Sequence, residues 1–288
     1  MKKVISAIIL IIICFTLVSC AGEAITPNEP YDMGDGIVIS EYKEINFTVA
    51  TYNIQGGEAT IESVKEINKN LIDVGADIAG LQEVDNLSKR SGKTDFLEIF
   101  REGSLNNVSY FPVMLKNYGD TYGIATVSKT QFLRTHSFKL PYPYKYEKSS
   151  VEKRIIMRSL ITVDDVQVAF YTTHLSYENV KMADGKSLRE TQINYILKLL
   201  QNDPCPYKIV TGDFNVLSFE EFEILTKNGY LTVNNSENKF DTYKGNDVEF
   251  LAIDNIIYSD RLQLQNSNIF NSDCSDHCML YATFKTVA

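Results

Sequence analysis

The sequence predicts an α/β fold with mixed sheets and helices on their outer faces. Three observations point there. Strand-like segments outnumber helical ones, many strands neighbour each other along the chain, and three helical stretches interrupt the run. That order disfavours a purely parallel, doubly wound sheet. The chain has 288 residues, 44% of them hydrophobic, so it can bury a sizeable core as one large domain or two small ones. With 23% charged and 11% aromatic residues, global disorder, collagen and coiled coil are excluded.

The N-terminus reads as an address. Lys2 and Lys3 precede an apolar run from Val4 to about Val18. The run is shorter than the ~20 residues of a comfortable membrane span and fits a secretory h-region. It ends in Leu17-Val18-Ser19-Cys20-Ala21. This is similar to a bacterial lipoprotein signal, which implies cleavage before Cys20, diacylglycerol on its thiol and an acyl group on its new amine. Residues 1–19 are therefore expected to be the signal peptide. Residues 20–44 are expected to be a lipidated Cys and polar tether, and 45–288 the folded domain. Two or more acyl chains anchor stably where one does not, so the expected location is the bacterial cell envelope membrane. Beyond Cys20 only Cys205, Cys274 and Cys278 follow the leader, too few for a disulfide framework.

The domain is then read element by element. Ile45 to Asn53 is β-rich and mostly alternating, a strand. Thr60 to Val74 places Ile61, Val64, Ile67, Leu71 and Ile72 near helical spacing, and Gly75 ends it. Asp77 to Gln82 is a short buried strand, and Ser109–Leu115, Tyr122–Ser128 and Phe132–Leu140 are further strands. Ile155–Val163 and Val166–Thr173 flank Asp164-Asp165 as a hairpin. Lys186–Leu200 is a helix, Tyr207–Thr211 a buried strand and Phe219–Lys227 a short helix. Ile253–Tyr258 and Met279–Phe284 close the chain as strands.

Polar residues stand where these strands end: Asn53, Gln82-Glu83, His174, Asp213 with Asn215, and Asp276-His277, with Asp254 entering the strand before them. Hard oxygen donors and imidazoles gathered on one rim suit a Mg2+-type ion and a phosphate ester. Mn2+ and Ca2+ are the alternatives.

At these residues the chain resembles the endonuclease/exonuclease/phosphatase superfamily, which includes deoxyribonuclease I. The pieces occur in the family's order: Thr-Tyr-Asn-Ile (51–54), Leu-Gln-Glu-Val (81–84), Thr-His-Leu (173–175), Gly-Asp-Phe-Asn (212–215), Ile-Asp-Asn-Ile (253–256) and Ser-Asp-His (275–277). The resemblance covers about Phe47 to Phe284. It implies a four-layer α/β sandwich, with two mixed, mainly antiparallel sheets face to face and helices outside. It also implies metal-dependent hydrolysis of a phosphodiester or phosphomonoester by in-line water attack.

The resemblance further implies roles. Glu83 would be the principal metal carboxylate, Asn53 would orient the metal-bound phosphate, and Asp276 would complete the metal shell. Asp213 would position or deprotonate the water, and Asn215 would hold water and phosphate oxygen. His277 would be general base or transition-state stabiliser, with Asp254 on its Nδ1. His174 would bind departing phosphate oxygens or serve as general acid. His136, the third histidine, lies mid-strand without a motif and reads as structural or surface.

One departure is Gln55, standing where several nucleases of the superfamily carry an Asp that assists metal binding; a second metal site is therefore not expected. Arg154, Arg158, Arg189 and Gln192 are similar to family positions rich in Arg and Gln; Arg158 and Gln192 read equally as structural. Cys274 and Cys278 read as small buried residues before a soft-metal pair. The loop Pro141-Tyr142-Pro143-Tyr144-Lys145-Tyr146 is either a stacking surface or plain solvated chain.

The net charge of -9 and the lack of a basic tract argue against a processive duplex reader. The expected substrate is a nucleotide, oligonucleotide, sugar-phosphate or lipid-phosphate. No obligate protein partner is inferred, and a monomer is expected. The alternatives are a nuclease acting on extracellular DNA or RNA, or a catalytically inactive surface binding module on the same fold. A different dinuclear metallophosphatase would need an N-terminal Asp-x-His and an Asn-His pair mid-chain, and neither occurs.

Overall fold

The computed structural model describes residues 32–34, 36–38, 42–114, 121–143 and 151–288. The leader, Cys20, most of the tether and Tyr144-Lys145-Tyr146 lie outside the described residues. Among those described, the chain runs β1 (Asn46–Asn53), α1 (Ile61–Asp73), β2 (Ile78–Asp85), α2 (Phe96–Arg101), β3 (Asn107–Met114), β4 (Thr121–Ser128) and β5 (Phe132–Lys139). It continues through β6 (Ile155–Val163), β7 (Val166–His174), α3 (Leu188–Asn202), β8 (Lys208–Asp213), a 3-10 turn (Phe219–Phe222) and α4 (Glu223–Thr226). β9 (Tyr230–Thr232), β10 (Asp254–Ser259), β11 (Leu262–Phe270) and β12 (Met279–Thr286) complete it. No helix among the described residues is long and apolar enough to cross a membrane.

The strands form two six-stranded sheets, ordered β11-β12-β1-β2-β4-β3 and β5-β6-β7-β8-β10-β9. Each sheet has one parallel pair at its centre, β1/β2 and β7/β8, and antiparallel neighbours elsewhere. Parallel neighbours need a crossover, and α1 and α3 supply one each. Thr60 caps α1: its hydroxyl accepts from Ser63 N, and Ser63 Oγ accepts from Thr60 N. Gly75, at φ +70°, ends the helix as its sequence position requires. The Asp164-Asp165 hairpin is also present, both residues having positive φ, as a two-residue turn between twisted strands demands.

Period-two alternation builds the four layers. In β1, Ala50 and Tyr52 face outward and pack with Val64, Ile67 and Leu71 of α1, while Phe47 and Val49 face inward. In β7, Ala169 and Tyr171 pack outward with Ile193 and Ile196 of α3, while Val168 and Phe170 face inward. The inward files change character along their length. β1 reads Phe47, Val49, Thr51, Asn53; β7 reads Val168, Phe170, Thr172, His174; β8 reads Ile209, Thr211, Asp213. Apolar residues fill one end, a buried Thr belt follows, and the polar groups arrive together at the mouth between the sheets.

Three elements escape the sequence pattern. α2 has only six residues, too few to display a period. β9 has three residues. β11 (LQLQNSNIF) is a partly exposed edge strand with a register shift between Leu264 and Asn266, and its Gln and Asn content hides it. The expected helix at Phe219–Lys227 is a 3-10 turn followed by a single helical turn.

Gly80 sets the closeness of the sheets at the Thr belt. A Cβ there would stand 2.3 Å from Thr211 Oγ1 and 2.7 Å from Thr172 Oγ1. Both hydroxyls are committed, Thr211 to Tyr171 O and Thr172 to Thr126 Oγ1. Gly80→Ala is therefore expected to destabilise by about 1–3 kcal/mol through overpacking. Urea unfolding of the two proteins measures it.

Candidate active site

The rim residues converge because their strands end together. His174 and Asp213 are register partners across β7/β8, Asp213 and Asp254 across β8/β10, and Asn53 and Gln82 across β1/β2. The carboxyl ends of the two central parallel pairs thus open into one cleft of about 570 Å3. Asn53, Glu83, His174, Asp213, Asn215, Asp276 and His277 line it. Asp254 lies fully buried beneath His277, its Oδ2 2.7 Å from Nδ1.

Asn53 ties the sheets together. Its Nδ2 donates to Asp213 Oδ2 at 3.0 Å and to Glu83 Oε1 at 3.3 Å, while its Oδ1 accepts from Gln55 N. Asn53 thus presents its amide N–H groups, not its oxygen, to the carboxylates. Gln55 Oε1 accepts from Asp276 N, so the residue standing in place of an acid positions the Ser-Asp-His loop. Ser275 donates to Asn53 O at 2.6 Å and accepts from His277 N. Gly-Asp-Phe-Asn forms an Asx turn, with Asp213 Oδ1 accepting from Asn215 N. Asn215 Nδ2 lies 3.1 Å from His174 Nε2 and donates to Leu175 O.

Strain marks the same rim. Glu83, Gln55 and Asn215 have φ of 58°, 53° and 49°. Glu83 sits where the β2/β4 register shifts, a bulge that aims its side chain into the cleft. Gly56 lets this happen: a Cβ there would lie 2.4 Å from Glu83 O, and its N–H donates to Glu83 Oε2.

Electrostatics separates the titrating groups. Burial, and then the charge of Asp254, push the Asp213 carboxyl well above the usual carboxylate range, against His277 and the bonds from Asn53 and Asn215. Burial pulls His277 down, but Asp254, Asp213 and Asp276 outweigh it and lift the imidazole to about 10. Burial, reinforced by Arg154 and His277, holds His174 well below the ordinary histidine range. Burial also raises Glu83, against the Asn53 bond and the Arg154 charge, with Asp276 adding repulsion.

Glu83 and Asp276 fit a hard divalent cation. Among the described residues neither has an ion-pair partner, and each repels the other's charge. Asp213, Asp254 and His277 also offer ligand atoms within 4.8 Å of one another, and Asp254 Oδ1 is buried without a hydrogen-bond partner. There the His277 cation already serves as counter-ion.

The remaining sequence candidates divide. Arg154 lines the cleft, bonded to Tyr122 Oη at 3.1 Å and paired with Glu152, and its Nε is buried without a partner. Arg158 is structural, bidentate to Asp203 at 2.7 and 3.1 Å inside the core. Arg189 reaches the cleft edge but is locked to Glu221. Gln192 holds Ser176 and Pro141 O. Cys205, Cys274 and Cys278 are free thiols. His136 sits in β5 opposite Arg158, outside the cleft lining, and Pro141–Pro143 is likewise outside it. Arg90, Tyr122, Tyr177 and Tyr243 line the cleft without a sequence signal that singles them out.

Since Asp254 is the largest favourable influence on His277, Asp254→Asn is expected to drop the imidazole pKa from about 10 toward its ordinary value near 6.5. The wild-type interaction is fully present below the unfolded pKa of about 6.5 and is lost as pH rises through about 10. Imidazole proton shifts in an NMR pH titration follow it directly.

The model of the endonuclease/exonuclease/phosphatase family matches residues 50–277. No curated protein matches the chain. An endonuclease/exonuclease/phosphatase from Beutenbergia cavernae superposes with a TM-score of 0.69 at 15% identity, over 84% of this chain and 72% of that one. The human Nocturnin catalytic domain, which holds a sulfate anion, gives 0.63 at 17% identity, over 86% and 97%. A mannosyl-6-phosphatase from Bacteroides thetaiotaomicron gives 0.57 at 16% identity, over 83% and 99%. At these identities the structures establish the shared fold. The family match spans every rim residue from Asn53 to His277, and on that match the chain belongs to the endonuclease/exonuclease/phosphatase family.

Proposed function

We propose that the protein is a Mg2+-dependent phosphoesterase, hydrolysing a phosphodiester or phosphomonoester by in-line attack of water. The observation that carries this is the cleft mouth, where the buried carboxylate of Asp213 faces the imidazoles of both His277 and His174. Their Nε2 atoms lie 3.8 and 3.4 Å from its Oδ2.

Glu83 and Asp276 would hold the cation, with Asn53 bracing Glu83. When bound, the cation neutralises non-bridging phosphate oxygens and steadies the departing oxygen. Asp213 has its carboxyl raised toward neutrality and takes the proton of the attacking water. His277 is already protonated near neutral pH and gripped by Asp254; it acts as the stabiliser of growing negative charge rather than as the base. His174 stays uncharged, its Nε2 set against Asn215 Nδ2, and the pair would face the phosphate oxygens as neutral polar groups. Arg154 adds positive charge that acts on Glu83 at the same cleft. No covalent enzyme intermediate is required. The sulfate in Nocturnin and the phosphatase named for Bacteroides thetaiotaomicron are compatible with an oxyanion at this mouth.

Hydrolysis of bis-p-nitrophenyl phosphate is expected with Mg2+, to vanish with EDTA and to return when Mg2+ is restored. Asp213→Asn and His277→Ala are expected to lose about 10²-fold or more in kcat while remaining folded by circular dichroism. Near-wild-type turnover in either folded variant would overturn the roles.

We further propose that Cys20 is lipidated and holds the enzyme at the cell envelope, on the strength of the charged, apolar and Leu-Val-Ser-Cys order of residues 2–20. Cys20→Ser is expected to abolish palmitate labelling and to move the protein from the detergent phase to the aqueous phase in Triton X-114 partition.

A further inference from the structure

The cleft is asymmetric. On its β2–β4–β6 side stand Arg90, Tyr122, Glu152 and Arg154. Its β8–β10 side carries an apolar wall of Tyr177, Leu217, Tyr243, Val248 and Phe250. Among the described residues nine large hydrophobic side chains are exposed, and two of them, Tyr177 at 60% and Leu217 at 62%, are on this wall. A single exposed Leu carries no information, but a cluster beside a polar catalytic floor does. The wall is braced from behind: Phe250 meets Phe219 edge to face at 5.0 Å, and Tyr243 leans on the His277 ring at 5.1 Å.

The wall's charge is equally telling. Among the described residues its one cleft-lining cation is Arg189, neutralised by two bonds to Glu221 at 2.9 and 3.2 Å, and Lys239, whose Nζ stands 5.6 Å from the Phe250 ring centre, is paired with Asp241 at 2.8 Å. Asp247 is its acid, bonded to the Tyr243 hydroxyl. Among the described residues, a second phosphate, or a nucleic-acid strand tracked phosphate by phosphate, would find no free cation on this wall. A sugar would bring hydroxyls to a surface whose polar side chains are chiefly Asn179 and Asp247, leaving several unpaired. A planar ring with a π-face suits exposed Tyr and Leu side chains.

We infer that the substrate is a nucleoside carrying one phosphate ester, with its base against Tyr177 and Leu217 and its phosphate on the Glu83–Asp213–His277 floor. This rests on the phosphoesterase reading and narrows its substrate class. A cleft of about 570 Å3 has room for one such molecule.

The test is kcat/KM with Mg2+ for adenosine 3′- and 5′-monophosphate, mannose 6-phosphate, pyrophosphate, a 20-mer oligonucleotide and bis-p-nitrophenyl phosphate. The proteins are wild type, Tyr177→Ala, Leu217→Ser and a control on β5, Leu133→Ser. The better adenosine monophosphate is expected to exceed mannose 6-phosphate by about tenfold or more. That ratio is expected to fall about fivefold or more in each wall variant, through KM rather than kcat, and to persist in the control. If mannose 6-phosphate, pyrophosphate or the oligonucleotide matches or beats the nucleotides while bis-p-nitrophenyl phosphate is cleaved, the inference falls and the phosphoesterase reading survives. An unchanged ratio in both wall variants also overturns it. If none of the six is hydrolysed, the underlying reading fails and takes the inference with it.

Discussion

The hydrogen bond from Asn53 to Asp213 joins two sheets that share no strand, and the cleft depends on it. One partner ends β1 and the other ends β8, so the bond forms only if both inward files reach the mouth at the same height. The Thr belt and Gly80 set that height by letting the sheets approach closely just below the mouth. Close approach excludes water from Asp213, and exclusion of water raises its carboxyl. A structural requirement of the sandwich and a chemical property of the site are therefore one constraint seen from two sides.

The strand directions explain why polar groups gather at this end only. Each sheet centres on one parallel pair, and both pairs point their carboxyl ends the same way. Residues just past those ends, or at the β2 bulge, escape the ladder and adopt conformations that a regular strand forbids. Glu83, Gln55 and Asn215 take left-handed backbone angles there, each held by bonds from neighbouring segments. The same local freedom would be destabilising inside a strand.

Much of this is legible in the sequence because alternation is a local property. Phe47-x-Val49-x-Thr51-x-Asn53 states which face is buried and where polarity begins, and the strand-end motifs then fall on one rim. What depends on distant partners is not legible. Arg154 and Arg158 lie four residues apart with similar surroundings, yet Asp203 captures only Arg158, and no period in the sequence joins residues 45 apart. The wall at Tyr177, Leu217 and Phe250 is assembled from three loops, each unremarkable alone. β11 hides because a partly exposed edge strand needs no apolar alternation.

The two cleft histidines carry the argument furthest. They are the same residue type, both nearly fully buried and both within 4 Å of one Asp213 oxygen. Burial alone lowers both. His277 escapes that fate because Asp254 sits 2.7 Å behind its far nitrogen, and Asp276 adds charge from the adjacent loop. His174 has Arg154 and His277 as its charged company and is driven further down. The two like groups are thereby pushed apart in pKa: one imidazole is drawn toward its charged form and the other toward its neutral form. Asp213, between them, is made a better proton acceptor than an ordinary carboxylate by burial and by Asp254, and the charge of His277 opposes that rise. Neither histidine's state follows from its own motif, because each is set by what another strand delivers to the mouth.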